Sequence, residues 1–292
     1  MKPDAMKKAT FTDFCRRGII PAAEVKALAG AGEETIEQLM LGILEQASCY
    51  AQAAISKFKV GAVVRGRSGG LYLGGNFEFL GKSLTFDIHA EQAAVVNAWL
   101  AGEEGIVVLA VTSPPCGYCR QFLNELDSAE RLKIIVPGRP ERTLAELFPD
   151  SFGPRDLGIS GGLMLPQNHH LELEEPSEDP LVVAALEAAE MSYAPYTRAF
   201  SGAALLAADG GICRGPYAEN AAFNPSLSPL ETALVRLLIR GKEYREIRRA
   251  VLVEQREAAT SQADAARIVL HAVAPRATLD IAYAREFRGH NT

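Results

Sequence analysis

The chain repeats itself. Tyr193-Ala194-Pro195-Tyr196-Thr197-Arg198-Ala199-Phe200-Ser201-Gly202-Ala203-Ala204-Leu205-Leu206 echoes the run from Tyr50-Ala51-Gln52 to Gly61-Ala62-Val63-Val64. Pro229-Leu230-Glu231-Thr232-Ala233-Leu234-Val235 echoes His89-Ala90-Glu91-Gln92-Ala93-Ala94-Val95. Ala250-Val251-Leu252-Val253-Glu254 echoes the apolar run Gly105 to Thr112. One architecture is therefore used twice. With 292 residues, 48% of them hydrophobic, the chain has enough apolar material for two cores. In this register Pro229 stands where His89 does, and no cysteine follows Glu254. The second copy keeps the apolar frame and loses the polar cluster, so its use is structural: to bury area and to wall in a site.

Within the first copy, Ile36, Leu39, Met40, Ile43, Leu44 and Ala47 recur at helical spacing and predict one amphipathic helix covering a sheet. Before it, Ile20-Pro21-Ala22 reads as a helix start and Gly30 with Gly32 as its stop. Val60 to Val64 and Leu71 to Leu73 read as a hairpin turning at Ser68-Gly69-Gly70. Ala93 to Leu100 reads as a buried helix starting near His89, Gly105 to Thr112 as a fully buried strand, and Leu132 to Val136 as another strand. Thr143 and Glu146 are placed like a capping box. The polar, acidic run from Gln167 to Pro180 reads as a linker. The division that follows is a small helical region, 1–33, a first domain, 34–166, a linker, 167–180, and a second domain, 181–292.

Two short segments of the first domain carry chemistry. His89-Ala90-Glu91 and Pro114-Pro115-Cys116-Gly117-Tyr118-Cys119 together read H-x-E…P-C-x-x-C. Catalytic zinc takes three protein ligands, His nitrogen or Cys sulfur among them, and keeps a fourth position open. His89, Cys116 and Cys119 supply such a set. Cys116 and Cys119, at i and i+3, share one face of a first helical turn, and Pro115 suits the first helical position. The helix N-terminus favours thiolate over thiol and draws off part of its charge. Glu91, just beyond His89, is placed for proton transfer and not for ligation. Taken alone, C-x-x-C also describes a redox pair or half of a structural zinc site. Glu91 and the intervening strand shift the reading to catalysis.

Asn76 and Glu78, at i and i+2, face one side of an extended segment. An amide and a carboxylate so placed can hold a vicinal diol or a sugar hydroxyl; spacing alone favours a solvated strand end.

A net charge of −6 gives no global basic footprint, which favours a small substrate over a nucleic-acid polymer. The five cysteines, Cys15, Cys49, Cys116, Cys119 and Cys213, are odd in number and sparse, which argues for a reducing compartment. No signal peptide or membrane span is legible, so the cytoplasm is the default location, with no membrane partner.

H-x-E…P-C-x-x-C is the pattern of the zinc deaminases of nucleobases. Over nearly its whole length the chain resembles the cytidine deaminases of the long, two-domain, homodimeric type. The most specific stretches are Phe77 to Gly81, His89 to Ala94, Pro115 to Phe122 and Tyr217 to Pro225. The resemblance implies a three-layer α/β/α fold, duplicated, with a catalytic first copy and a degenerate second one. It implies one Zn²⁺ per chain on His89, Cys116 and Cys119, with Glu91 as proton shuttle. It sets Asn76 and Glu78 on the ribose, with the Phe77 backbone passing close to the sugar, and Phe58 against the pyrimidine. The Ala90 N–H then faces the base carbonyl, and the Pro114 carbonyl meets the departing amino group. The loop around Phe152 resembles a segment that closes the partner subunit's site. The implied reaction is hydrolytic deamination of cytidine and 2′-deoxycytidine, by zinc-hydroxide attack at C4, in pyrimidine salvage. Tyr118 departs from the family's usual His, Ser113-Pro114-Pro115 is richer in proline than its pattern, and the resemblance does not extend to the tail from Leu279 to Thr292.

Overall fold

The computed structural model describes residues 17–32, 34–160 and 162–287. Cys15, the first half of the N-terminal region and the end of the tail lie outside these residues. The chain divides into two compact units. The first holds the described residues up to Glu78, Asp87–Leu165 and Ile239–Gly241; the second holds Phe79–Phe86, Pro166–Leu238 and those from Lys242 on.

In the first unit the strands are β1 (Ile19–Ile20), β2 (Gly61–Gly66), β3 (Leu71–Gly75), β4 (Ile106–Val111), β5 (Lys133–Ile135) and β6 (Arg142–Thr143). They form one sheet in the order β1-β3-β2-β4-β5-β6, in which β4 and β5 are parallel and the other neighbours antiparallel. Helices α1 (Ala22–Gly32), α2 (Ile36–Gly42) and α3 (Leu44–Ser48) cover one face, and α4 (Ala90–Leu100) covers the other. Alternation along β3 does the sorting. Leu71 and Leu73 enter the core with Leu39, Met40 and Leu44, while Gly74 faces α4. A Cβ on Gly74 would lie 2.3 Å from the Ala94 nitrogen, so glycine lets helix and strand backbones meet. Both faces are covered, which is why β4 reads as an unbroken apolar run. Helices α5 (Gly117–Leu123) and α6 (Leu144–Leu147) complete the unit. Thr143 caps α6, accepting from the Glu146 N–H.

In the second unit α7 (Pro180–Glu190) packs on β8 (Ser201–Ala207), which pairs with β9 (Ile212–Pro216). The sheet runs β7-β11-β10-β8-β9, with β7 (Leu171–Leu173), β10 (Ile247–Gln255) and β11 (Thr278–Glu286). Strands β10 and β11 are parallel, as β4 and β5 are. Helix α8 (Pro229–Ile239) stands to β9 as α4 stands to β3, because a Cβ on Gly215 would lie 2.2 Å from the Ala233 nitrogen. Helix α9 (Ala263–Val273) follows β10.

The fold is the duplicated α/β architecture, with five local differences from the sequence reading. Ile19–Ile20 is a strand on β3, held by the buried Asn97, whose amide donates to the Gly18 carbonyl at 2.8 Å and to Leu73 at 3.0 Å. The long helix over 36–47 is broken at Ile43, which leaves helical geometry at φ −102° and ψ 3° just after Gly42. The linker carries β7, and the unmatched tail carries β11, which pairs with β10 over seven residues. The register of the repeat shifts as well. Gly74 with Ala90 and Ala94 corresponds to Gly215 with Pro229 and Ala233, so Ser228 occupies the place of His89 and Leu230 that of Glu91. The second copy has thus lost the shuttle position along with the ligands.

Candidate metal centre and substrate cavity

Each ligand position is set by an element end. The N-cap of α4 is His89, at φ −82° and ψ 156°, and its N–H donates to the Gln92 side chain at 3.0 Å. The exit of β4 delivers Ser113-Pro114-Pro115 to Cys116, the N-cap of α5. Pro115 therefore precedes the cap and does not begin the helix. Cys116 leaves helical geometry and Cys119 lies in the first turn, which turns both sulfurs to one point. Arg120 braces this turn, donating from Nε to the Pro115 carbonyl at 2.9 Å and from a terminal nitrogen to Leu147 at 2.8 Å.

His89 Nδ1 lies 3.5 Å from Cys116 Sγ and 3.2 Å from Cys119 Sγ, and the two sulfurs are 3.6 Å apart. Tetrahedral zinc with Zn–S and Zn–N bonds of about 2.0–2.3 Å spans edges of roughly 3.5–3.8 Å. The donor set fits zinc with three protein ligands and an open position. Among the described residues this is the one such cluster of His, Cys, Asp and Glu. The hydrogen bond between the two sulfurs, with His89 beside it, brings Cys116 down to about 3, and that same bond with burial holds Cys119 well above its ordinary value. The Cys116 contact raises His89. Tyr118, from the intervening turn, lies 5.5 Å from the His89 ring at a tilt of 32°.

Glu91, in the first turn of α4, is 4% exposed. Burial pushes its carboxyl up, and its hydrogen bond with Cys119 places it beside the ligand cluster. A cavity of about 240 Å³ opens from Glu91, His89 and Cys116. Phe58, Val60, Asn76, Glu78, Ala90 and Pro114 also line it. Ala90 offers a first-turn N–H, a donor with no partner inside the helix. Phe58 is 59% exposed at the mouth. Asn76 Oδ1 accepts from Val60 N at 2.9 Å, and its Nδ2 donates to the Phe58 carbonyl at 3.1 Å. Burial alone would raise Glu78; donors from Ser56, Ile55 and Asn76 outweigh it and hold the carboxyl below its usual value.

Of the residues singled out in the sequence, Phe58, Asn76, Glu78, His89, Ala90, Glu91, Pro114 and Cys116 line the cavity, and Cys119 completes the ligand cluster. Phe77 does not line the cavity. Its side chain is fully buried and its backbone bridges Gln52 and Ile88, holding Asn76 and Glu78 on either side. Sequence reasoning missed Ser56 and Asp87, which also line the cavity. A signal for Ser56 existed in the repeat, since Thr197 of the second copy corresponds to it once Gly61 and Gly202 are aligned.

A family model described as the cytidine and deoxycytidylate deaminase zinc-binding region matches residues 33–135, and a second of the same description matches residues 144–267. The chain is 49% identical over 255 residues to a cytidine deaminase of Yersinia pestis (strain Pestoides F), covering 87% of this chain and 86% of that one. A cytidine deaminase of Yersinia pseudotuberculosis serotype IB (strain PB1/+) is 48% identical over the same coverage. The crystal structure of a cytidine deaminase from Mycobacterium tuberculosis matches with 32% identity and a TM-score of 0.38, over 41% of this chain and 99% of that one. Two zinc-deaminase units in one chain, one with a complete ligand set, define a zinc-dependent hydrolase. The chain belongs to the cytidine deaminase family, in its long two-domain form.

Proposed function

We propose that the protein hydrolyses cytidine and 2′-deoxycytidine to uridine and 2′-deoxyuridine plus ammonia. The observation that carries this reading is one cavity lined by His89, Cys116 and Glu91 and also by Asn76 and Glu78, with Cys119 completing the ligand cluster. His89, Cys116 and Cys119 would hold the zinc, one per chain, and a zinc held there would supply the Lewis acidity that brings the pKa of a water toward neutrality. Glu91 takes that water's proton and delivers it to N3 of the pyrimidine. The water oxygen would add at C4; Glu91, a carboxylate again, would take the proton of the new C4 hydroxyl and pass it to the amino group, and the C4–N bond would break as the C4 carbonyl forms, releasing ammonia. The Ala90 N–H meets the base carbonyl, the Pro114 carbonyl the departing amine, Phe58 the ring face, and Asn76 and Glu78 the ribose. Glu78 carries a negative charge, which disfavours a phosphate on the sugar.

The role suits pyrimidine salvage in the cytoplasm, where an exposed free thiol such as Cys49 persists. Within the described residues no helix is long and apolar enough to cross a membrane. A homodimer with sites completed by the partner is part of this proposal. Its support is two exposed aromatics on held loops. Phe152 is 47% exposed while its carbonyl accepts from Gln121 and Asn124, and Phe223 is 60% exposed at a left-handed φ of 60°. The domain limits 34–166 and 181–292 remain the proposed working boundaries.

The test is steady-state assay of the purified enzyme with cytidine, deoxycytidine, cytosine and deoxycytidine monophosphate. Both nucleosides turn over, and cytosine and the monophosphate have kcat/KM lower by about 10²-fold or more, because binding energy from the sugar positions the ring. Glu78→Gln raises KM for cytidine by about 10-fold or more, the worth of a charged hydrogen bond. Equal kcat/KM for cytosine and cytidine contradicts the sugar assignment.

A further inference from the structure

The Glu78 carboxylate is already engaged before any ligand arrives. Ile55 N and Ser56 N donate to its Oε2 at 2.7 and 2.8 Å. Its Oε1 accepts from the Ser56 hydroxyl and, at 3.3 Å, from Asn76 Nδ2. A carboxylate has about four acceptor sites, and four donors occupy them. The Ser56 oxygen in turn accepts from Phe58 N at 3.0 Å. Lys57, between them, holds a left-handed φ of 59°. One hydroxyl therefore ties the carboxylate to the backbone that presents Phe58.

The second copy serves as an internal control. There Glu219 Oε2 accepts from Tyr196 N and Thr197 N at 2.8 and 3.2 Å, and Oε1 accepts from the Thr197 hydroxyl at 2.6 Å. Ala199 N donates back to the Thr197 oxygen at 3.2 Å, and Arg198 holds φ 56°. The same clasp persists where no metal ligands remain. What differs is the rest: Tyr217 stands for Asn76 and Ala199 for Phe58. The hydroxyl–carboxylate clasp belongs to the frame, and the amide and the ring are what the first copy adds for a ligand.

We infer that Ser56 is a positioning residue for nucleoside binding: its hydroxyl fixes the Glu78 carboxylate and the Phe58 backbone, and an arriving sugar hydroxyl replaces only the long Asn76 contact. This inference rests on the nucleoside reading above. Ser56 is neither a metal ligand nor an acid or base in the proposed reaction, so its loss acts on binding, mainly of the sugar through Glu78 and less of the ring through Phe58. A threonine, which the second copy uses for the same clasp, serves equally at position 56.

The experiment compares zinc-loaded full-length Ser56→Ala, Ser56→Thr, Glu78→Gln and Thr197→Ala with the parent enzyme, on cytidine and on cytosine. Ser56→Ala raises KM for cytidine about 10-fold, the scale of one lost hydrogen bond to a charged group, with kcat within about 2-fold. The same variant lowers kcat/KM for cytosine by less than for cytidine, because the free base keeps only the Phe58 contact and offers no sugar to Glu78, and Ser56→Thr restores cytidine KM. Thr197→Ala removes the matching clasp and lowers the melting temperature without moving KM. Where Ser56→Ala fails to fold, Ser56→Cys, with its weaker donor, shows the same KM shift in smaller measure. A cytidine KM unmoved in Ser56→Ala or Ser56→Cys while Glu78→Gln raises it overturns the inference and leaves the nucleoside reading standing. Unmoved KM in both, with cytosine turned over as well as cytidine, removes the nucleoside reading and the inference with it.

Discussion

Glu91→Gln abolishes turnover while the protein keeps its fold and its zinc. The substitution preserves volume at a side chain that is 4% exposed, and an amide can neither take nor deliver the proton. Removing one general acid/base costs about 10²–10⁴-fold. In the proposed mechanism Glu91 serves several successive transfers, so the loss of kcat lies at the top of that range or beyond. The carboxyl also contacts Cys119, so zinc content is measured on the same sample. A variant with bound zinc that keeps a tenth of the parent kcat removes Glu91 from the role.

Cutting the chain after Asp179 yields an inactive or insoluble fragment, although His89, Glu91, Cys116 and Cys119 all remain. The two units are not consecutive pieces of sequence. Phe79–Phe86 belongs to the second unit, and Ile239–Gly241 to the first. Phe79 is 1% exposed and lies 6.3 Å from the Tyr244 ring, so the cut uncovers a large apolar side chain one residue after Glu78. It also deletes Ile239, which packs at Gly18 beside β1. Exposing buried aromatic and aliphatic groups costs about 1.5–3 kcal/mol each, a large part of a domain's stability. Expression of 1–179, with solubility, zinc content and cytidine deamination measured, checks this. A soluble fragment of near-parental activity shows that the second copy is dispensable.

The metal cluster was legible because its chemistry admits few residue types and its residues sit at element ends that the apolar pattern marks. Helix α4 and strand β4 are both long and buried, so periodicity located His89 and Cys116 correctly. Short or edge elements carried too little pattern. Strand β1 is two residues long and is fixed by a buried Asn97 far along the chain. Strand β11 alternates weakly because it is only half-buried. The repeat was visible, but its register was not. The segment from Glu78 to Ile88 is two residues longer than its counterpart from Glu219 to Leu227, so alignment from the first strand slips before the helix. Only helix–strand contact at Gly74 and Gly215 reset it, and with it the identity of the residues that replaced His89 and Glu91. Ser56 escaped notice for a related reason: a lone serine next to a lysine has no pattern of its own, and its partner Glu78 is remote in sequence.

In the proposed mechanism one zinc, held by the first copy alone, carries the reaction. Stripping the full-length protein of metal with a chelator and titrating zinc back against cytidine deamination tests it most directly. Activity returns linearly and saturates at one equivalent per chain, and Cys116→Ala, titrated in parallel, neither retains zinc nor recovers activity. Saturation at two equivalents per chain, or full activity in the metal-free protein, contradicts the account.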